Sequence, residues 1–204
     1  MIPMPAKFIV FEGPDGAGTT LHSRLLVKRL ENEGHKVLLT AEPTDGPIGK
    51  FIREKLKKPV GANSYTSLPA NALQLLFTAD RAWHLATVIE PALKDGKIVI
   101  CDRYIPSTLI YGEALGLPIQ WLKDLNKNFI QPDQLFFLLP LFEVCLERLS
   151  RRTERDSFEQ EELQRRVYEG YERMAKQDST IRIFDTAGDK EAVARTIHES
   201  LQRS

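Results

Sequence analysis

Residues 7–20 read Lys-Phe-Ile-Val-Phe-Glu-Gly-Pro-Asp-Gly-Ala-Gly-Thr-Thr, and this stretch decides the fold class. Its first half is a short apolar run, typical of a buried strand. The glycines that follow let the backbone turn its N–H groups inward around phosphate oxygens, and a helix beginning at Thr19 adds its positive N-terminal end. The stretch therefore predicts a strand, a phosphate-binding loop and a helix in succession.

The loop has the spacing of a Walker A motif but lacks its lysine. Thr19 stands at the lysine position, and Thr20 occupies the hydroxyl position that normally contacts Mg²⁺. A glycine-rich turn that merely caps a helix is the alternative interpretation. The flanking strand and helix favour ATP binding by seven residues: Gly13, Asp15, Gly16, Ala17, Gly18, Thr19 and Thr20.

The missing lysine would normally supply positive charge to the β- and γ-phosphates of ATP. A charged segment near residues 150–160 offers arginines in its place, and the planar guanidinium suits phosphate oxygens. The alternative is a solvated face in which these arginines pair with nearby acidic residues. The candidate cations are Arg148, Arg151, Arg152 and Arg155.

Strands and helices alternate along the whole chain. Further apolar runs predict strands at 36–40, 98–101, 134–139 and 181–184. Helical periodicity predicts helices at 19–33, 48–56, 71–95, 107–114, 119–128, 143–149, 159–177 and 190–202, with a kink at Pro91. This order predicts an α/β fold of the P-loop NTPase type: a parallel five-stranded sheet with helices on both faces. We expect one domain over 1–204, and the family resemblance described below implies that it is a kinase domain with an arginine-rich lid at about 150–160.

Polar residues follow the predicted strands, at the sheet edge where such folds bind ligands. Glu42 and Pro43 follow the second strand, and Asp102 and Arg103 close the third. Asp102 is a candidate Mg²⁺ ligand together with Thr20, and Arg103 is a candidate phosphate ligand. The alternative is a buried ion pair between Asp102 and Arg103.

Phe77 and Arg81 are four residues apart, so they share one face of the long predicted helix. A ring and a guanidinium side by side suit a nucleobase, one by stacking and the other by hydrogen bonding to its edge. The alternative, which the spacing alone favours, is a core phenylalanine beside a solvated arginine.

Composition narrows the function. The 28 basic and 28 acidic residues give a net charge of zero, so we expect no nucleic-acid partner. No apolar run approaches the roughly 20 residues that span a bilayer, and the first residues do not resemble a signal peptide. Cys101 and Cys145 lie in apolar company and are predicted to be reduced, buried thiols. We expect a cytoplasmic protein without a membrane partner.

Several motifs together resemble the thymidylate kinase family, over roughly residues 7–175. In order they are Phe-Glu-Gly-Pro-Asp-Gly-Ala-Gly at 11–18, Glu-Pro at 42–43, Pro-Ile-Gly-Lys-Phe-Ile-Arg at 47–53, Leu-Phe-Thr-Ala-Asp-Arg at 76–81 and Asp-Arg-Tyr at 102–104. Ser107, Thr108, Tyr111 and the pair Pro132-Asp133 also fit. Phe-x-x-x-Arg followed by Asp-Arg-Tyr and Ser-Thr-x-x-Tyr is specific to this family among P-loop kinases.

The resemblance implies transfer of the ATP γ-phosphate to dTMP with Mg²⁺. It implies that Phe77 stacks on thymine while Arg81 and Thr108 meet its edge. It places Arg103 on the dTMP phosphate and Asp15 near the acceptor sugar and phosphate. The remaining roles follow the same pattern: Glu42, Pro43 and Ser107 in the acceptor pocket, Tyr111 against the sugar 2′ position, and Arg151, Arg152 and Arg155 in a lid that supplies catalytic charge, as in relatives with a small residue like Ala17.

The chain departs from the family at two positions. Thr19 replaces the loop lysine, and Ala41 replaces an arginine that often precedes Glu-Pro in bacterial relatives. Two alternatives therefore remain beside dTMP phosphorylation: another P-loop nucleoside or nucleotide kinase, and a nucleotide-binding relative with impaired catalysis. The resemblance also implies a homodimer formed through the long helix.

Overall fold

Five parallel strands form the central sheet. The computed structural model describes residues 5–57, 68–151 and 161–201. The strands are β1 (Lys7–Glu12), β2 (Val37–Ala41), β3 (Ile98–Asp102), β4 (Gln134–Leu138) and β5 (Arg182–Phe184), in the order β2-β3-β1-β4-β5. All pairings are parallel, with Val10 opposite both Cys101 and Leu135. The predicted five-stranded parallel sheet is confirmed.

Helices connect the strands. They are α1 (Thr19–Asn32), α2 (Pro47–Leu56), α3 (Ala70–His84), α4 (Glu90–Lys94), α5 (Ile105–Ala114), α6 (Ile119–Asn126), α7 (Phe142–Ser150), α8 (Glu161–Gln177) and α9 (Lys190–Ser200). Each predicted helix has a counterpart with ends shifted by a few residues. The predicted loop at 59–69 falls mostly outside the described residues.

The central strands β1 and β3 and most of β4 are buried on both faces, as their apolar sequences predict, whereas the edge strands β2 and β5 are partly exposed. Side chains alternate along β1, so Ile9 and Phe11 join a core cluster on one face while Phe8 and Val10 join a cluster on the other. The first cluster contains residues of α1, α7 and α9, and the second contains residues from the segment 85–105. A third cluster, around Phe137, joins α2, α3, α5 and α8.

The long helix predicted over 71–95 is divided. Between α3 and α4, Leu85–Ile89 forms a π-helical turn, so the irregularity lies one turn before Pro91. Proline lacks an N–H group and cannot bond the carbonyl four residues earlier, and a local π register accommodates that loss. The predicted kink at Pro91 was therefore misplaced by about one turn.

Two other sequence-based expectations need correction. In the sequence, Leu21 shares one helical stripe with Leu25, Leu26 and Leu30, which predicts that it is buried. It is 44% exposed instead, and the buried positions of α1 include His22, Leu26 and Leu30. The charged segment 148–162 was predicted to lie between two helices. Its first residues belong to the last turn of α7 and its last two to the first turn of α8.

The two cysteines are free and buried, as predicted. Burial raises the pKa of Cys145 to about 11 and also raises the pKa of Cys101, which keeps both thiols protonated at neutral pH. Among the described residues, no helix is long and apolar enough to cross a membrane.

Parallel strands bring the ends of β1, β2 and β3 to one sheet edge. A close backbone approach fixes the loop after β2 there: a Cβ added at Gly49 of α2 would lie 2.0 Å from the Thr44 carbonyl oxygen. Asp80 of α3 holds the same loop by accepting from the Thr44 N–H at 2.7 Å and from its hydroxyl at 2.6 Å. Helix α2 can therefore pack against this loop only with glycine at position 49.

We predict that Gly49→Ala lowers the free energy of unfolding by about 1–3 kcal/mol, because the added methyl group overpacks a backbone contact. Denaturant unfolding followed by circular dichroism measures the change. Gly188→Ala is the matched control, since a Cβ there meets no atom within 4 Å. Equal stability of the two variants would contradict this account of the loop.

Candidate active site

The phosphate-binding loop depends on two left-handed glycines, Gly16 at φ 85° and Gly18 at φ 92°. The Ala17 N–H donates to the Pro14 carbonyl at 3.1 Å and closes the turn. A Cβ at Gly16 would lie 2.5 Å from the carbonyl oxygen of Cys145, so the loop also packs closely on α7. Five of the seven residues predicted for ATP binding thus lie in a tight loop, and the other two, Thr19 and Thr20, begin α1.

Helix α7 and the loop after β5 brace this loop from outside. Arg148 donates to the Gly16 carbonyl at 3.1 Å and to the Thr186 carbonyl at 2.6 Å. The Thr186 hydroxyl in turn donates to the Ala17 carbonyl at 2.7 Å. Arg148 therefore serves here as a brace for the loop backbone, a role that the sequence did not indicate.

The other candidate cations are placed differently. Arg151 ends α7 with its side chain 75% exposed and pairs with Glu147 at 2.5 Å. Arg152 and Arg155 lie outside the described residues. Thr19, at the lysine position, is 7% exposed. Of the candidate cations that the structure describes, Arg148 contacts the loop backbone, whereas Arg151 pairs with Glu147 instead.

Thr20 and Asp102 lie together at the end of β3. The Thr20 hydroxyl donates to Asp102 Oδ2 at 2.5 Å. Asp102 Oδ1 is buried and has no hydrogen-bond partner among the described residues. Mg²⁺ usually binds one or two protein oxygens together with phosphate oxygens and waters. The Thr20 hydroxyl oxygen and the unpaired Asp102 Oδ1 beside a phosphate loop therefore suit this ion. No group of three or more acidic, cysteine or histidine residues in the described ranges suits a fully protein-ligated metal.

Arg103 faces the loop from the third strand. It has φ 73°, a left-handed conformation rare for a residue with a side chain. Its guanidinium donates to the Gly13 carbonyl at 3.0 Å and to Ser107 Oγ at 3.1 Å, and it pairs with Asp15. The alternative of an ion pair between Asp102 and Arg103 was therefore wrong. Arg103 is held between the phosphate loop and α5.

The carboxylate of Glu12 organises the surroundings of Arg103. Glu12 is fully buried and accepts from the Tyr104 N–H, the Ser107 hydroxyl and the Tyr171 hydroxyl, each at 2.7 Å. Burial raises the pKa of Glu12, while Arg103 and the three donors oppose that shift. Neither Glu12 nor Tyr171 was predicted to be a site residue.

Asp15 is held from two sides. Besides its pair with Arg103, its Oδ2 accepts from the Gln164 amide at 2.8 Å. Gln164 lies in the first turn of α8, which directly follows the segment 152–160 predicted to be the lid. The helix that begins after that segment therefore contacts a loop residue predicted to be catalytic.

Arg81 is buried, contrary to the alternative of a solvated arginine. It is 1% exposed, pairs with Glu42 at 2.7 Å, and donates to Asn126 and, at 3.0 Å, to the Thr108 hydroxyl. Its guanidinium lies 4.9 Å from the centroid of the Tyr104 ring. Arg81 is thus held in one orientation by groups on four different elements or loops.

Glu42 is itself positioned by a histidine that the sequence analysis missed. His84 Nδ1 lies 3.1 Å from Glu42 Oε1, and its Nε2 lies 2.6 Å from the Thr40 hydroxyl. His84 comes three residues after Arg81, one turn along α3. That spacing was the available signal, because residues three apart share a helix face.

One cavity unites these groups. It contains every residue predicted to bind the acceptor, with Asp15 and three residues that were not predicted. The lining residues are Asp15, Glu42, Pro43, Leu56, Gln74, Phe77, Arg81, Arg103, Tyr104, Ser107, Thr108 and Tyr111. Arg103, beside the phosphate loop, therefore lines the same cavity as the face of α3 that carries Phe77 and Arg81.

The fold and the site define a P-loop nucleoside-monophosphate kinase. A phosphate loop follows β1, an arginine in the wall of the neighbouring cavity faces that loop, and the parallel strands have the order β2-β3-β1-β4-β5. Comparison with known proteins specifies the class further. The family model described as thymidylate kinase matches residues 11–197.

Relatives agree with that match. A probable thymidylate kinase of Thermococcus kodakarensis is 42% identical over 195 residues, covering 93% of this chain and 94% of the relative. A thymidylate kinase of Pelotomaculum thermopropionicum is 41% identical over 175 residues, covering 82% and 79%. One from Exiguobacterium sibiricum is 35% identical, covering 86% and 84%. The chain belongs to the thymidylate kinase family, whose members are kinases with ATP as phosphate donor.

Proposed function

We propose that this protein transfers the γ-phosphate of ATP to dTMP, giving ADP and dTDP, with Mg²⁺. The observation that carries the proposal is the cavity beside the phosphate loop, to which Arg103 and Arg81 both contribute. An acceptor with a phosphate at one end and a base with a carbonyl at the other matches those two cations. The names of the relatives support the same substrate pair.

Arg103 holds the acceptor phosphate in this proposal. Its guanidinium is already fixed by Gly13, Ser107 and Asp15, so little side-chain freedom is lost on binding. Gln164 fixes Asp15 from the other side. Asp15 and Arg103 thus keep the acceptor oxygen aligned with the phosphate loop, where in-line transfer requires it.

Arg81 and Thr108 select the base. Among the described residues, the hydrogen bonds of Arg81 to Glu42, Asn126 and Thr108 use three of its five N–H groups. An N–H group therefore remains for a ligand, and the Thr108 hydroxyl, which accepts from Arg81, has its own proton to donate. Two donors favour a carbonyl oxygen, as in thymine, over the amino group of cytosine. Phe77 supplies the stacking surface.

Tyr111 restricts the sugar. It is 5% exposed, lines the cavity, and packs its ring 5.5 Å from the Arg103 guanidinium. Because the Tyr111 ring is held against the phosphate-binding arginine, it cannot move aside for a 2′-hydroxyl group on the sugar. We therefore assign to Tyr111 the preference for a 2′-deoxyribose acceptor, while Glu42, Pro43 and Ser107 shape the remaining wall.

Thr20 and Asp102 would hold the Mg²⁺ that accompanies ATP, through the hydroxyl and the unpaired Oδ1 of the carboxylate. When bound there, the ion supplies positive charge to the β- and γ-phosphates. Arg151, Arg152 and Arg155 are proposed to add the charge that the loop lysine normally provides, once the lid closes and excludes water.

We also propose that the whole chain acts as one cytoplasmic kinase domain and forms a homodimer through α2 and α3. Leu75 and Phe51 are 49% and 42% exposed on these two adjacent helices, which is unusual for large apolar side chains. The apolar face expected on the long helix consists of Leu76, Ala79, Trp83, Ala86 and Ile89. Ala79 and Ala86 are exposed, whereas Ile89 is buried in the core. Leu75, which is more exposed than Leu76, replaces it as the main candidate contact.

An acceptor screen tests the function. In a coupled assay with ATP, we expect dTMP to give the highest kcat/KM, above dUMP, UMP and CMP, with no phosphorylation of thymidine. Two donors facing a carbonyl predict a loss of about 10²-fold or more for CMP. Phosphorylation of nucleosides in preference to monophosphates would instead identify another kinase of this fold, and absence of turnover would identify an impaired relative.

The Thr19 substitution gives a second prediction. If lid arginines supply the missing charge, Thr19→Lys should change kcat by less than about tenfold, because a second cation adds little and repels the first. Arg152→Ala and Arg155→Ala should each lower kcat by about 10²–10³-fold, the usual effect of losing one preorganised contact to developing charge. Single-turnover kinetics with ATP and dTMP measures both.

Arg173→Ala is the control for these variants, since Arg173 pairs with Glu113 on the surface and touches neither nucleotide in this proposal. The opposite pattern would show an enzyme weakened by its missing lysine: a gain of orders of magnitude for Thr19→Lys and little effect of the arginine variants.

A further inference from the structure

Gln74 is a buried amide in the wall of the acceptor cavity. Its exposed fraction is 0%, and neither Nε2 nor Oε1 has a hydrogen-bond partner in the described part of the chain. Buried polar side chains are almost always hydrogen-bonded, so an unpaired amide at a ligand cavity indicates a group that pairs when the ligand is present. The proposed roles of Phe77, Arg81 and Thr108 make no use of it.

The position of Gln74 gives its side chain no structural task within α3. Its backbone carbonyl accepts from the Thr78 hydroxyl at 2.8 Å, which is a contact of the main chain only. Two other residues of the cavity wall, Leu56 and Phe77, belong to or pack against an apolar cluster that also contains Leu73, the residue before Gln74. Apolar neighbours cannot satisfy an amide.

Gln74, Phe77 and Arg81 are spaced three and four residues apart, so they lie along one face of α3. All three line the cavity. A base stacked on Phe77 therefore has Arg81 on one side of the ring along the helix axis and Gln74 on the other. The imide edge of thymine presents a carbonyl, an N–H and a second carbonyl in a row.

We propose that Gln74 is a further specificity-determining residue, whose amide binds the imide edge of the acceptor base. Oε1 accepts from the base N3–H, and Nε2 donates to the carbonyl that Arg81 and Thr108 leave unbound. Together the three residues match the whole acceptor–donor–acceptor pattern of thymine. This inference rests on the proposed function and extends it to the rest of the base edge.

The test compares ligand binding by Gln74→Met, which keeps the chain length and removes the amide, with the parent. Calorimetric titration should show dTMP binding weakened by about 10- to 100-fold, as expected for two lost hydrogen bonds. Binding of 2-deoxyribose 5-phosphate, which has no base, and of ATP should change by less than about twofold. Gln74→Leu is a second variant with the same expectation, and thermal melting checks that each variant is folded.

Leu73→Met is the matched control, since Leu73 is the preceding residue of α3, equally buried and part of the apolar cluster. The inference is overturned if Gln74→Met weakens dTMP no more than Leu73→Met does, or if it weakens 2-deoxyribose 5-phosphate to the same degree. If the parent binds dTMP without phosphorylating it, the proposed activity fails while binding still decides the role of Gln74. If the parent binds no dTMP, both proposals fail.

Discussion

The rest of the site depends on the hydrogen bonds that the buried carboxylate of Glu12 accepts. Glu12 ends β1 and accepts hydrogen bonds from Tyr104, Ser107 and Tyr171, so one charged group joins the sheet edge to α5 and α8. Arg103 lies beside it in a left-handed backbone conformation. Such a conformation costs free energy and persists only where the surrounding contacts fix the residue. A buried carboxylate must keep its donors, because leaving it unpaired costs more than the contacts supply.

The same residue links the proposed sites for ATP and dTMP. The phosphate loop begins immediately after Glu12, and Asp15 of that loop pairs with Arg103, the proposed ligand of the acceptor phosphate. Arg148 and Thr186 hold the outer face of the loop, while Gln164 ties Asp15 to the helix that follows the proposed lid. Geometry of donor and acceptor is therefore set by one connected network, which is what in-line phosphoryl transfer requires.

Local signals explain how much the sequence predicted. The apolar runs and the glycine spacing predicted the parallel sheet and the phosphate loop, because each of these signals lies within a few neighbouring positions. The acceptor residues were predicted from the resemblance to the thymidylate kinase family. Partners far apart along the chain were missed: Tyr171 and Gln164 meet Glu12 and Asp15 across 159 and 149 positions. Burial of Arg81 also escaped prediction, since its partners come from other elements.

The central claim is that Arg103, set in place by Glu12, binds the acceptor phosphate. The direct measurement is the dissociation constant of dTMP and of ATP for Arg103→Ala, with Arg173→Ala as control. Loss of a charge-assisted phosphate contact worth about 1.5–3 kcal/mol predicts that dTMP binds roughly 10- to 150-fold more weakly while ATP binding is nearly unchanged. Equal weakening of both nucleotides, or of neither, would contradict the account.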